Sequence, residues 1–177
     1  WYNARTNKQQ NIGCYPHIVI SEIINNGTCK ERLWAFEWES KDKFTKKPPQ
    51  NAYDDALNQR ITQAYVVADD PDQWAQALLK EGPLLAGIRL TYDFVSVRSK
   101  LYKGPIERFA GGDGHAVVVV GYHSHYPVDK NTYVPAFKIR NSWGTGWGEN
   151  GYVWIPATIL FSMLHGPARL LRGYPGE

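Results

Sequence analysis

An α+β fold is what the order of elements predicts, and three observations carry the prediction. Helical patterns concentrate in the first half of the chain and strand patterns in the second, without the alternating β-α-β order of a parallel sheet. The run Ala116-Val117-Val118-Val119-Val120, closed by Gly121, is a short β-branched stretch bounded by a breaker. The length, 177 residues, suits one domain or two small lobes around a shared core.

Pro16 suits the first turn of a helix, where its missing N–H costs nothing. Ile18, Ile20, Ile23 and Ile24 supply an apolar side, and Gly27 is a stop signal. Residues 28–50 read as a loop broken by Pro48-Pro49 and carrying Trp34, Phe36, Trp38 and Phe44, rings that must be pinned to a surface. A short helix is expected over 52–59 and a strand over 60–67. Asp70-Pro71-Asp72 is a helix start, with Asp70 as cap and Pro71 in the first turn. Trp74, Leu78 and Leu79 are its expected buried side, and Gly82-Pro83 ends it. Strands follow over 84–90, 115–122, 136–140 and 151–155, with a polar excursion over 124–134 between the second and third. The domain division expected is 1–60, the helical part with its aromatic loop, and 61–177, the β part.

Composition excludes several classes. Hydrophobic residues make up 43% and charged residues 21%, which excludes disorder along the whole chain. Seven Trp and eleven Tyr point to a packed core or a binding cleft. Twenty basic residues face seventeen acidic ones and are scattered, so the basic stripe of a nucleic-acid site is missing. No apolar run approaches the ~20 residues of a membrane-spanning helix. Two cysteines, Cys14 and Cys29, are too few for a disulfide framework or a Cys-rich zinc site. They could pair with each other, pair elsewhere or stay free. His123 and His125 in a polar stretch lack an evident third ligand, so no metal site is expected. Asn26-Gly27-Thr28 is a glycosylation acceptor only in a eukaryotic secretory pathway. The chain opens on Trp1 without an initiator Met or a signal peptide, which reads as a cut end.

The chemistry lies in residues 112–155. Antiparallel pairing of the His115 strand with Phe137-Lys138-Ile139-Arg140 would set His115 beside Asn141. A neutral amide bonded to one ring nitrogen fixes the tautomer and leaves the other nitrogen for acid–base work. Trp143 could shield that bond from water.

Asn141-Ser142-Trp143-Gly144 through Gly151-Tyr152, with Gly114-His115-Ala116-Val117 and Gly121-Tyr122, resembles the papain-like cysteine peptidases. The likeness extends through Glu81-Gly82-Pro83, Tyr92-Asp93-Phe94 and Gly104-Pro105-Ile106. It implies a two-lobed α+β fold, part of a helical lobe plus an antiparallel β-barrel lobe, with an active cleft between them. It also implies cysteine-type hydrolysis of peptide bonds in a polypeptide substrate without a cofactor. His115 and Asn141 match the family's catalytic histidine and asparagine, and Trp143 its shielding indole. Gly13, Cys14, Tyr15 and Pro16 resemble the cleft wall that pairs with substrate backbone, and Ala116 would line a roomy specificity pocket. Gly114 stands where many relatives carry Asp.

The nucleophile is the exception. The family's Cys-Gly-Ser/Ala-Cys-Trp/Tyr signature is absent, and its histidine lies ~130 residues or more after that cysteine, which points about fifteen residues before Trp1. Cys14 precedes a helix, where a thiol is more acidic, but lies 101 positions before His115 with Lys8 where the oxyanion glutamine should be. The nucleophile and the glutamine are therefore expected upstream of Trp1 or on a companion chain, leaving this chain inactive alone. The alternative is a non-catalytic binding protein that keeps the cleft. The family implies a secreted or lysosome-like location.

Overall fold

The computed structural model describes residues 14–35, 46–104 and 109–173, without the side chains of 109–113. Gly13 and the aromatics Phe36, Trp38 and Phe44 lie outside the described residues. Two compact units emerge: Trp1–Ala64 with Leu171–Glu177, and Tyr65–Leu170.

In the first unit, helix α1 spans Pro16–Asn26 and begins at Pro16, as expected. It ends at Gly27, whose φ of 69° is one that side chains resist. A Cβ on Gly27 would lie 1.7 Å from the carbonyl oxygen of Ala56, so the close approach itself requires glycine. Ala56 closes helix α2, Gln50–Ala56, which starts two residues earlier and ends three earlier than the expected span. Cys29 and Lys30 follow Gly27, and Lys30 donates its backbone N–H to Asp55 Oδ2 (3.0 Å) while its ammonium lies 3.4 Å from Oδ1.

The second unit is organised by a six-stranded sheet in the order β1–β6–β2–β3–β4–β5. The strands are β1, Gln63–Val67; β2, Leu84–Thr91; β3, Phe109–Pro127; β4, Tyr133–Arg140; β5, Tyr152–Pro156; and β6, Ala168–Arg172. The pairs β2–β3, β3–β4, β4–β5 and β2–β6 are antiparallel. Helix α3, Pro71–Lys80, starts as its sequence signals: Asp70 accepts the N–H of Gln73 at 2.8 Å. Its buried side differs from expectation. Trp74 is wholly buried and Ala77 and Leu78 pack on the core, but Leu79 is 86% exposed. One residue past Leu78 is a 100° turn of the helix, which carries Leu79 off the stripe that Trp74, Ala77 and Leu78 define.

Leu84, Ala86 and Ile88 of β2 face the core with Val117 and Val119 of β3, Phe137 and Ile139 of β4, and Val153 and Ile155 of β5. Each such large side chain contributes about 1.5–3 kcal/mol by burial. Residues 124–134 are no loose excursion. β3 runs on to Pro127, β4 begins at Tyr133, and Tyr126 pairs with Val134. Bulges at 119–121 and 123–126 break the alternation there, which hid the strand from pattern reading. Three elements lie outside the spans expected from sequence: α4, Tyr92–Val95; α5, Ala157–Met163; and β6.

Candidate active site

The β3–β4 register pairs Val118 with Arg140 and Val119 with Ile139. The chain leaves β4 at Asn141 directly beside the start of the valine run, and His115 is three residues back from Val118. The result is a hydrogen bond: His115 Nε2 lies 2.8 Å from Asn141 Oδ1. The same oxygen lies 2.7 Å from the backbone N–H of Ser142. A backbone N–H can only donate, so the amide atom facing Ser142 must be the oxygen. His115 must then donate through Nε2. Its Nδ1 is left as the nitrogen that can accept or release a proton.

Asn141 is itself held from both sides. It is buried, and its backbone N–H donates to Gly151 O at 2.9 Å. Its Nδ2 is buried and finds no hydrogen-bond partner among the described residues, so the amide is anchored through its oxygen and backbone.

Trp143 covers the pair. Its ring stacks on His115, centroids 4.6 Å apart and planes at 29°. Beneath it stand Phe94 and Trp147, with centroid distances to Trp143 of 5.9 and 5.7 Å. Trp147 is buried and donates Nε1–H to the carbonyl oxygen of Phe94 at 2.9 Å. Phe94 is placed by Thr91, which caps α4 by accepting the Phe94 N–H at 3.2 Å and bonds Tyr102 Oη at 2.6 Å. Burial pushes the Tyr102 phenol above its ordinary value, the bond to Thr91 opposing. Phe94 and Trp147 are the supports that residue-by-residue reasoning missed as part of the site. Thr91 three residues ahead of Phe94 is a cap pattern that could have located α4.

Ala116 is exposed on the face of β3 opposite to the core, paired with Gly87 of β2. Cys14, Tyr15 and Pro16 belong to the other unit. Cys14 is half-buried, Tyr15 is the exposed residue before α1 with its ring 5.7 Å from that of His17, and Pro16 is the first helical residue. Cys14 and Cys29 are not bonded to one another. Burial raises the Cys29 thiol above its ordinary range, its backbone hydrogen bond opposing. The backbone N–H of His125 donates to His123 Nδ1 at 3.1 Å, and His125 Nδ1 lies 2.9 Å from Ser124 Oγ. Among the described residues no group of three or more His, Cys, Asp or Glu converges on a point. None of their helices is long and apolar enough to cross a membrane.

The sequence matches the family model "Papain family cysteine protease" over residues 5–160. It is 28% identical over 170 residues to an uncharacterized peptidase C1-like protein of Acanthamoeba polyphaga mimivirus, covering 88% of this chain and 51% of that protein. It is 32% identical over 152 residues to falcipain-3 of Plasmodium falciparum, covering 81% and 29%. The chain thus spans about half or less of these curated relatives. Among solved structures it is similar to xylellain, a cysteine protease from Xylella fastidiosa, with a TM-score of 0.78, 26% identity, and coverage of 97% of this chain and 67% of that one. The bromelain protease of Ananas comosus, at 20% identity and TM-score 0.65 over 90% of this chain and 70% of that one, shares the fold.

Proposed function

The chain belongs to the papain family of cysteine proteases, and from that premise we propose that it is the His/Asn-bearing part of a peptidase that hydrolyses peptide bonds by a Cys–His–Asn mechanism. The nucleophilic cysteine and an oxyanion-binding glutamine come from a segment upstream of Trp1 or from a companion chain. The observation that supports this reading best is the shared acceptor: Asn141 Oδ1 takes hydrogen bonds from Ser142 N–H and His115 Nε2, which leaves Nδ1 for chemistry.

In this reading Nδ1 of His115 takes the cysteine proton, and the thiolate attacks the scissile carbonyl carbon. The tetrahedral oxyanion collapses, the C–N bond breaks, and the leaving amine receives the proton from Nδ1. Water then attacks the thioester as Nδ1 takes its proton, releasing the acid and the thiolate. Asn141 orients the imidazole throughout, and Trp143 keeps water off the His115–Asn141 bond. Cys14, Tyr15 and Pro16, with Gly13, bind substrate backbone, and Ala116 contacts a substrate side chain. Cys14 is not the nucleophile. The protein acts in a secreted or lysosome-like compartment, as the family resemblance suggests.

The test is the full-length protein on a fluorogenic dipeptidyl substrate, with and without a thiol-directed epoxide. Hydrolysis blocked by labelling of a cysteine upstream of Trp1 is expected. Rapid labelling of Cys14 instead would overturn the assignment of the nucleophile. A protein that binds peptides without cleaving them, and has no upstream cysteine, would be the non-catalytic binding member of the family.

A further inference from the structure

Two asparagines in the chain are followed by glycine: Asn26 and Asn150. In such a pair no Cβ shields the glycine nitrogen, and the main chain there turns easily. That nitrogen can attack Cγ, the carboxamide carbon of the asparagine. A C–N bond forms, the Cγ–Nδ2 bond breaks, and the nitrogen's proton leaves with Nδ2 as ammonia, so that a five-membered succinimide remains. Water then opens the ring at either carbonyl, giving aspartate or isoaspartate. Isoaspartate carries one extra carbon in the main chain.

The fold treats the two pairs differently. Asn26 closes α1, and its Nδ2 donates to Glu22 Oε2 at 3.1 Å. The Gly27 N–H donates to Ile23 O at 3.0 Å, and the Thr28 N–H to Gln59 O at 3.2 Å. Gly27 is buried against Ala56 O, so its peptide cannot swing toward Cγ without parting α1 from α2. Both reacting groups are tied.

Asn150 is exposed, and its carboxamide has no hydrogen-bond partner among the described residues. It is also their one non-glycine with a positive φ, 55°. Asn150 and Gly151, whose φ is 87°, are the central residues of a tight turn: Glu149 N–H donates to Tyr152 O at 2.8 Å and Tyr152 N–H to Glu149 O at 3.1 Å. Asparagine visits this left-handed conformation more readily than most residues, but at a cost. Ring closure turns the Asn150 main chain out of it. Gly151 is buried and its N–H donates to Trp147 O at 2.8 Å, the bond that must open.

The turn also holds the site. Gly151 O accepts the Asn141 N–H at 2.9 Å, and Asn141 Oδ1 orients His115. An extra main-chain carbon at 150 falls between Glu149, which pairs with Tyr152, and the carbonyl that anchors Asn141. Pairing and anchor cannot both be kept at the new length.

We propose that Asn150 is a self-modification site of the folded protein: it converts through the succinimide to isoaspartate, which loosens Asn141 and ends the working life of the active site. The chemistry at Asn150 stands by itself, and its effect on activity rests on the peptidase reading.

The experiment ages the full-length protein at pH 8 with its thiols reversibly capped, so that self-cleavage does not intervene. Peptide mapping follows both asparagines, and an isoaspartate-specific methyltransferase distinguishes the two products. In the folded protein Asn150 should convert at least about tenfold faster than Asn26, whose reaction waits on opening of a helix end. In urea, where neither is held, the two rates should come together. After uncapping, kcat should have fallen in step with isoaspartate at 150. Asn150→Gly keeps the left-handed turn without a carboxamide and should hold its activity through the same ageing. Asn150→Asp, which has the charge but not the extra carbon, should start close to the unmodified activity. A folded-state rate at Asn150 no greater than at Asn26 would overturn the site. Activity that decays as fast in Asn150→Gly, or is lost at the outset in Asn150→Asp, would overturn the stated consequence. If no peptide is hydrolysed before ageing, the peptidase reading fails, and the two conversion rates still decide whether Asn150 is the site.

Discussion

The imidazole of His115 and the indole of Trp143 stack with centroids 4.6 Å apart and planes inclined by 29°, and the indole is itself 37% exposed. One face of Trp143 therefore meets solvent while the other covers His115. Trp143→Ala should lower kcat/KM of the full-length protein about tenfold, since a ring pair of this kind is worth about 0.5–1.5 kcal/mol. Thermal stability should move little, because Trp143 is already 37% exposed. Trp143→Phe should recover most of the rate. NMR of the His115 ring N–H would show faster solvent exchange in the Ala variant, a change that general unfolding would not confine to this residue.

Asn141→Ala removes the acceptor that His115 Nε2–H and Ser142 N–H share. The imidazole is then free to rotate or to change tautomer. A loss of about 10²-fold in kcat is expected, the cost of misplacing a reacting group by ~1 Å. KM should change little, because the amide is buried and spends its oxygen on His115 and Ser142. If kcat survives intact, His115 is oriented by something other than Asn141.

How much of this was legible in sequence follows from where the information sits. His115 and Asn141 could be placed because a valine run and a register of two antiparallel strands are local patterns with one geometric solution. Phe94 supports the site through its ring and through a backbone carbonyl that accepts from Trp147 Nε1–H. A carbonyl has no residue identity, so that role leaves no trace in composition. Leu79 was misplaced by hydrophobicity alone; the helical angle from Trp74 decides its exposure. The hairpin arms over 124–127 and 133–134 escaped notice because bulges shift the period on which strand patterns depend.

Alkaline pH should unfold the second unit through its buried phenols. Burial raises Tyr102, with the Thr91 bond opposing, and burial with the charge of Glu149 raises Tyr126. Folded values above the ordinary phenol value of about 10 mean that the folded state holds these protons more tightly than the unfolded chain. The stabilisation is therefore complete below about pH 10 and is lost as pH rises through the raised folded values. Urea melts from pH 8 to 11.5 should show stability falling only above about pH 10. Tyr102→Phe should cost about 1 kcal/mol at pH 8 through the lost bond to Thr91 and should flatten the alkaline fall. An equal fall in the variant would assign it to other groups.

The loop that delivers Asn141 depends on glycines to unequal degrees, and a substitution series separates the causes. Gly148 has a φ of 57°, and a Cβ there would lie 2.3 Å from Tyr152 O. Neither partner can move cheaply. Gly148 N–H is bonded to Val97 O, Glu149 N–H to Tyr152 O, and Gly151 N–H to Trp147 O. Displacing this turn from β5 would pull on Gly151, the acceptor of the Asn141 N–H, and on the Trp147 indole under Trp143. Gly148→Ala should therefore cost more than the ~1–2 kcal/mol of left-handed backbone alone, and it should lower the activity of the molecules that still fold. Gly144 also has a positive φ, 79°, but nothing lies within 4 Å of its Cβ position. Gly144→Ala should show only the backbone penalty of ~1–2 kcal/mol, or about 2–8 °C in Tm. Gly146, open around its Cβ position and outside the left-handed region, should tolerate alanine without loss. Equal costs at 144 and 148 would mean that the contact with Tyr152 O yields, and that the loop does not transmit strain to Asn141.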